Sequence, residues 1–380
     1  MQNSSRLKIG VVCYPTFGGS GVVATELGKA LAETGRYCVH FITYDQPSRL
    51  DLLSNSVFYH KVDIQTYPLF RYPPYELALA SKMVNVVKYE KLDLLHVHYA
   101  IPHASAAFMA KQILASEGRH IPVVTTLHGT DITLVGKDPS YAPVVAFSIE
   151  QSDIVTAVSA SLRDETYDTF GVKKEIHVVP NFIDLERFKK QKKEHFKRAI
   201  CPNGEKLLVH TSNFRKVKRV DDVVAVFERV REKIPAKLLL VGDGPERRRL
   251  EQYCQEKGLF EDVRFLGEIE AIEEVLSVAD VFVMPSAKES FGLAALEAMA
   301  CEVPVIASNT GGLPELIEQG ISGFMSQVED VEDMAKNALF ILDDANLPTF
   351  KTQALRRAKE FEVAHILPQY EDLYHLALKK

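Results

Sequence analysis

Val281-Phe-Val-Met-Pro-Ser-Ala-Lys-Glu-Ser-Phe-Gly-Leu-Ala-Ala-Leu-Glu-Ala-Met-Ala300 reads as one strand–loop–helix unit. Val281–Met284 is a short, uniformly apolar run, the pattern of a strand covered on both faces rather than of an exposed antiparallel one. A polar loop follows, and a helix is predicted to begin near Gly292. Outward from this unit the same alternation recurs. Upstream stand Lys206–Thr211, Lys237–Val241 and Val263–Leu266, and downstream stands Pro304–Ala307. A second series fills the first half of the chain: Lys8–Cys13, Val39–Thr43, Leu94–His98, Pro122–Thr126 and Asp153–Val158. Helix-length segments separate several of them, such as Gly21–Thr34, which Gly35 closes as a C′ glycine. Strands alternating with helices predict an α/β protein of two parallel, doubly wound sheets with helices on both faces.

A chain of 380 residues is comfortable for two domains. The boundary is expected near Asn181–Gly204, giving domains 1–185 and 200–360 and a terminal segment 361–380. In that segment Val363–Leu378 has the apolar spacing of an amphipathic helix, with Pro368 either kinking it or marking its true first turn. Arg187–Arg198 is the most basic stretch and is read as a solvated interdomain helix in preference to a phosphate or nucleic-acid patch. Composition is that of an ordinary globular protein, 46% hydrophobic and 25% charged. A net charge of −6 supplies no global attraction to nucleic acid or anionic lipid. No run of 18 apolar residues is present, so no membrane partner is expected. The polar start Met1–Lys8 lacks the layout of a signal peptide, and five scattered cysteines without CxxC spacing point to reduced thiols. A cytoplasmic protein without a metal is therefore expected, and composition leaves a homo-oligomer open.

In open α/β sheets, ligands bind outside the carboxyl ends of the strands, so the chemistry belongs on loops that follow strands. After the first strand comes Tyr14-Pro-Thr-Phe-Gly18-Gly19-Ser20-Gly21. Glycines admit close backbone approach, and the helix N-terminus offers free N–H groups to a diphosphate or carboxylate. Two other readings compete. Gly19-Ser-Gly-Val-Val-Ala24 matches the dinucleotide pattern G-x-G-x-x-A with Asp45 after the second strand, although its turn is long and the second domain is left unexplained. A merely tight turn is the third. In the second half, Glu289 in its loop suits sugar hydroxyls, and Glu297 inside the helix suits a ribose diol. The N–H groups of Phe291, Gly292 and Leu293 suit a phosphate. Taken singly, each carboxylate would read as a helix-end or solvated charge. Ser212-Asn213-Phe-Arg215-Lys216-Val-Lys218-Arg219 follows a strand and offers the positive charge that a departing diphosphate needs. His128-Gly129 ends a strand and is well placed for a ligand, whereas His96, His98 and His103 read as structural, without metal-ligand geometry.

Glu289 and Glu297, with Phe291-Gly292 between them, resemble the E-x7-E motif of the retaining GT-B glycosyltransferases of the family-4 type. Gly311-Gly312-Leu-Pro314-Glu315 and Val241-Gly-Asp-Gly-Pro-Glu246 resemble further stretches of that family. The resemblance implies two Rossmann-like domains facing across a cleft, a C-terminal helix crossing back to the first, a nucleotide-sugar donor, and neither catalytic metal nor cofactor. It implies catalytic roles for His128, Lys218 and Glu289, the histidine's backbone carbonyl lying near the anomeric carbon. Donor contacts would come from Gly19, Asn213, Arg215, Lys218, Glu289, Phe291, Gly292, Leu293 and Glu297. One departure stands out: where the family commonly has an arginine this chain has Asn213, with Arg215 two residues on. Within the family, Cys13–Gly21, His98–His103, Thr125–Ile132, Ser212–Arg219 and Lys288–Gly292 resemble the branch that glycosylates malate. That narrower likeness implies UDP-N-acetylglucosamine and L-malate as substrates, in the first step of bacillithiol formation. Acceptor contacts would then fall on Ser20, Arg49, Tyr99 and Thr126. A family-4-type enzyme with another small acceptor, and a UDP-sugar 2-epimerase of the same fold, are the alternatives.

Overall fold

The computed structural model describes residues 6–16, 18–50, 54–64 and 71–379. Met1–Ser5 of the polar start and Phe17 of the first glycine loop lie outside them. The first sheet contains β1 (Leu7–Val12), β2 (Tyr37–Thr43), β3 (Val57–Lys61), β4 (Leu94–His98), β5 (Val123–Leu127), β6 (Ile154–Ala157) and β7 (Ile176–Val178). Its order is β3-β2-β1-β4-β5-β6-β7, and its pairings are parallel. The second contains β8 (Lys206–Thr211), β9 (Ala236–Val241), β10 (Val263–Gly267), β11 (Val281–Met284), β12 (Val305–Ser308) and β13 (Gly323–Ser326), in the order β10-β9-β8-β11-β12-β13, again parallel. Each order reverses once, between β1 and β4 in the first sheet and between β8 and β11 in the second. Such a reversal parts the connections on either side and leaves a crevice at the strands' carboxyl ends.

Uniform apolarity does what it should. Every residue of β4, β5, β6, β11 and β12 is buried, as strands covered by helices on both faces must be. Leu79, Met83 and Val87 cover one face of the first sheet, and Val223, Phe227 and Leu250 help to cover the second. The chain packs as two units, the first running to Asn181 and taking in the terminal helix, the second Phe182–Glu362. The terminal helix Val363–Lys379 buries Tyr370 and Tyr374 completely, and the Tyr374 hydroxyl lies 2.8 Å from His96 Nδ1. Arg36 donates to Glu371 of the same helix at 2.9 Å. Pro368 sits inside this helix, not in its first turn.

The basic stretch Arg187–Arg198 departs from the expected solvated connector. Its helix is only Glu194–Ile200, and Lys197 Nζ reaches the buried Asp280 carboxylate at 2.7 Å. Lys351 and the Leu207 N–H converge on the same carboxylate at 3.1 and 2.9 Å. Burial alone would raise Asp280, but the two ammonium groups and the amide outweigh it and hold the carboxyl below its ordinary range. The stretch is ion-paired into the second unit because Asp280, at the mouth of β11, needs cations.

Candidate active site

In the second unit the loops leaving β8 and β11 lie side by side, joined by Ala287 N–H donating to Val217 O at 2.8 Å. The β8 loop is anchored by the buried Phe214 and ends in a single 3-10 turn, Lys216–Lys218. Beneath it pass Gly242 and Gly244 of the β9 loop. A Cβ on Gly242 would stand 1.9 Å from Ser212 O, and one on Gly244 2.3 Å from Asn213 O, so this loop is glycine because two backbones touch. His210 donates Nδ1–H to Val283 O at 2.7 Å, leaving Nε2 to accept from the Ser212 hydroxyl at 2.8 Å. Desolvation pushes this imidazole down to about 4, which keeps it neutral.

Glu289 is held from two sides. Gly312 N–H donates to Glu289 O at 3.0 Å, and a Cβ on Gly311 would stand only 1.8 Å from that oxygen. The Glu289 carboxylate meets Lys218 Nζ at 2.6 Å, with both side chains largely covered. The two polar residues expected to serve the donor are therefore brought together from loops 71 residues apart in sequence. Phe291 is buried against Phe361, ring centres 5.7 Å apart. Gly292, at φ +100°, caps the helix Leu293–Ala300, and a Cβ there would strike Leu313 at 2.6 Å. Because the helix opens at Leu293, half-buried Glu297 lies little more than one turn in, near the helix's N–H end. Asn213 is exposed, and so is Arg215, whose guanidinium makes no ion pair among the described residues.

In the first unit the loops leaving β1, β4 and β5 are fastened mainly by side chains. Gly19, at φ +63°, opens the helix Ser20–Glu33. Ser20 Oγ and Tyr99 OH are 2.6 Å apart. Tyr99 holds φ +90°, its N–H donates to Thr126 O at 2.9 Å, and its ring lies 5.4 Å from Tyr14 and 5.3 Å from His128. Ser48 donates to Thr16 O at 2.9 Å, which lays the segment bearing half-buried Arg49 against the β1 loop. Thr126 is fully buried, with its hydroxyl 2.7 Å from both His96 Nε2 and Thr156 Oγ1, so in this arrangement it supports its neighbours. His98 Nδ1 and His128 Nε2 are 2.8 Å apart, and His103 donates to His98 O. Burial drives His96, His98, His103 and His128 well below the usual imidazole value, so all four are neutral donors and acceptors. His96, His98 and His103 form a network on which His128 rests, and His128 is not an isolated group.

Asp131 escaped the sequence reading. It stands two residues after Gly129, within Thr125–Ile132, yet a lone aspartate after a strand gives no sign of the loop that it will meet. It is buried and accepts from Ala100 N–H at 2.8 Å and Gly129 N–H at 3.1 Å.

Comparison with known proteins matches this division. Residues 17–187 match the family described as Glycosyltransferase Family 4, and residues 191–357 match Glycosyl transferases group 1. The N-acetyl-alpha-D-glucosaminyl L-malate synthase of Bacillus anthracis is 47% identical over 377 residues, 98% of each chain. Among solved structures, sucrose-phosphate synthase from Thermosynechococcus elongatus is 25% identical with a TM-score of 0.77, covering 98% of this chain and 99% of its own. Anabaena HepE, solved with UDP-glucose, shares the fold at 21% identity and a TM-score of 0.81, over 97% of this chain and 99% of its own. These likenesses displace the dinucleotide reading of Gly19–Ala24, whose Gly21 has a local reason: a Cβ there would stand 2.4 Å from Tyr14 O. No helix among the described residues is long and apolar enough to cross a membrane. The chain belongs to the GT-B glycosyltransferases, with a family-4 half and a group-1 half.

Proposed function

We propose that this chain is a retaining, metal-independent glycosyltransferase that moves N-acetylglucosamine from UDP-N-acetylglucosamine to the hydroxyl of L-malate, the first step of bacillithiol formation. The observation that carries the reading is the extent of the likeness to the Bacillus anthracis synthase. Identity of 47% spans 98% of both chains, so it takes in the acceptor-side loops of the first unit as well as the donor-side loops of the second. The reading also makes the enzyme cytoplasmic, with which its free thiols at Cys13, Cys38, Cys201, Cys254 and Cys301 accord.

In the proposed reaction UDP rests on the second unit. Glu297 accepts the ribose hydroxyls, and Glu289 accepts hydroxyls of the sugar. The diphosphate takes the Lys218 ammonium, the exposed Arg215 guanidinium and the N–H groups at Phe291, Gly292 and Leu293. Arg215 thereby supplies the cation that Asn213 does not. Asn213 adds a side-chain amide to the diphosphate site, and the N–H groups of Gly19 and Ser20 suit the malate carboxylates. Lys218 waits on Glu289 at 2.6 Å, so a fixed cation stands ready and needs no large rearrangement as charge builds on the leaving oxygen. Malate carboxylates take the Ser20 and Tyr99 hydroxyls and Arg49, with Thr126 holding Tyr99 from behind. The neutral His128 keeps its loop, and with it its carbonyl, against the sugar.

No side chain among these is placed as an enzyme nucleophile, so the malate hydroxyl attacks from the face that the phosphate leaves. Its proton passes to the departing phosphate oxygen, and the α configuration is retained. Catalysis is positioning plus stabilisation of UDP. The test is to incubate the protein with UDP-N-acetylglucosamine and, separately, L-malate, D-malate, inositol phosphate or glucose, and to measure UDP released. Release dependent on L-malate is expected. Turnover of the donor with no acceptor would favour the epimerase, and release with a different acceptor would keep the family and overturn the substrate.

A further inference from the structure

Asp131 is 2% exposed and pairs with no lysine or arginine among the described residues. A carboxylate so buried is costly, and burial pushes its pKa up to about 6 against the pull of its backbone donors. If only one hydrogen bond had to be accepted, a neutral asparagine would serve at less expense. What asparagine cannot do is accept on both terminal atoms. Asp131 does: Oδ2 takes the N–H of Ala100 at 2.8 Å, and Oδ1 takes the N–H of Gly129 at 3.1 Å. Those two amides belong to different loops. Ala100 follows Tyr99 after β4, and Gly129 follows His128 after β5. Tyr99 is held at φ +90°, a conformation that a β-carbon disfavours and that the surroundings must impose. Its fastenings are its own N–H on Thr126 O, its hydroxyl against Ser20, and the next residue's N–H on Asp131.

We infer that Asp131 is a positioning residue: its carboxylate staples the Tyr99 loop to the His128 loop through the Ala100 and Gly129 amides, and so sets the acceptor site. The inference rests on the proposed transfer to malate for its kinetic consequence, and on geometry alone for the staple. It acts through Tyr99 and His128 and touches no substrate.

The test is Asp131→Asn, which keeps size and loses one acceptor. Misplacing the acceptor lowers kcat/KM for L-malate by about 10²-fold, while the dissociation constant for UDP, bound by the other unit, stays at the wild-type value. In a Tyr99→Phe background the same substitution costs much less, because two residues working through one contact do not add. A merely structural role would give equal losses in both backgrounds, and that result would overturn the inference. Amide exchange reads the staple without reference to activity: in Asp131→Asn the Ala100 or Gly129 amide loses protection while strands β4 and β5 keep theirs. Unchanged protection at both amides would overturn it. If the wild-type protein does not glycosylate malate, the functional reading fails, and the exchange measurement alone decides the staple. Should Asp131→Asn fail to fold, Asp131→Ser, which retains one small acceptor, is read by the same exchange measurement with the same two outcomes.

Discussion

The proposed donor loops of the second unit and the proposed acceptor loops of the first are built by different means. In the second unit backbone lies on backbone. Gly311 and Gly312 press on Glu289 and Ser290, Gly242 and Gly244 press on Ser212 and Asn213, and in each case a single Cβ would overlap a carbonyl. In the first unit backbone also touches backbone, at Gly21 on Tyr14 and Gly136 on Asp131, but much of the fastening between loops is by side chains: Ser20 to Tyr99, His98 to His128, Thr126 to His96, and Asp131 to the Ala100 amide. Backbone packing of this kind tolerates little change, whereas a side-chain network can be rewired one residue at a time.

The largest effect should come from Lys218, which its backbone turn and the Glu289 carboxylate hold in place on the proposed donor side. Lys218→Ala should lower kcat by about 10²-fold to 10³-fold, the usual loss when a preorganised charge at the leaving group is removed. Steady-state UDP release measures it, and an unchanged kcat would remove Lys218 from the chemistry. Next comes Gly311→Ala, where φ is +56° and the new methyl would sit 1.8 Å from Glu289 O. The loop has to move, so UDP affinity should fall by roughly tenfold or more and the melting temperature should drop, by a stability loss of about 1–3 kcal/mol. Calorimetric titration with UDP checks the first and a thermal scan the second. If Gly311→Ala were silent, the rigid half of the comparison would fail.

On the acceptor side, Tyr99→Phe removes one hydroxyl from a network and should raise KM for L-malate by about 5-fold to 10-fold, with UDP affinity unchanged. A rise in the UDP constant instead would erase the distinction between the two sets of loops. The smallest effect is on pH. In the first unit burial depresses His40, His60, His96, His98, His103 and His128, against His210 alone in the second among the described residues. The unfolded chain takes up protons near the ordinary value of about 6.5, whereas burial holds folded His40 and His103 down to about 4 and His96 and His128 to about 3, with His60 and His98 depressed in the same direction. Their contribution is therefore intact above pH 6.5 and is lost progressively as pH falls toward 4. Asp131, its carboxyl raised to about 6, works in the opposite sense but is one group against six. Amide exchange followed from pH 7 to pH 5 should show the first unit loosening ahead of the second.

How much could be read from the sequence follows the same division. Uniform apolar runs gave away β4, β8 and β11, including their ends, because a strand covered on both faces leaves no other pattern. The strands that escaped are at or toward the edges. β3 is Val-Phe-Tyr-His-Lys with two exposed positions, β7 has three residues, and β13 opens on glycine. None carries enough apolar signal in a row. On the proposed donor side, the glycines are visible as letters because backbone clearance demands them, and Glu289 and Glu297 are visible by their spacing. The proposed acceptor side depends on which side chains reach across loops, as Asp131 reaches the Ala100 amide and Ser20 reaches Tyr99, and pairing of that sort is settled only in three dimensions.

The central claim is that Lys218, its neighbouring cations and fixed amides, with no divalent ion, take up the charge that UDP acquires as it leaves. The direct measurement is the rate of UDP release from UDP-N-acetylglucosamine with L-malate, after exhaustive treatment with EDTA and again after adding magnesium. An equal rate in both is the predicted result. Release abolished by the chelator and restored by magnesium would contradict the account.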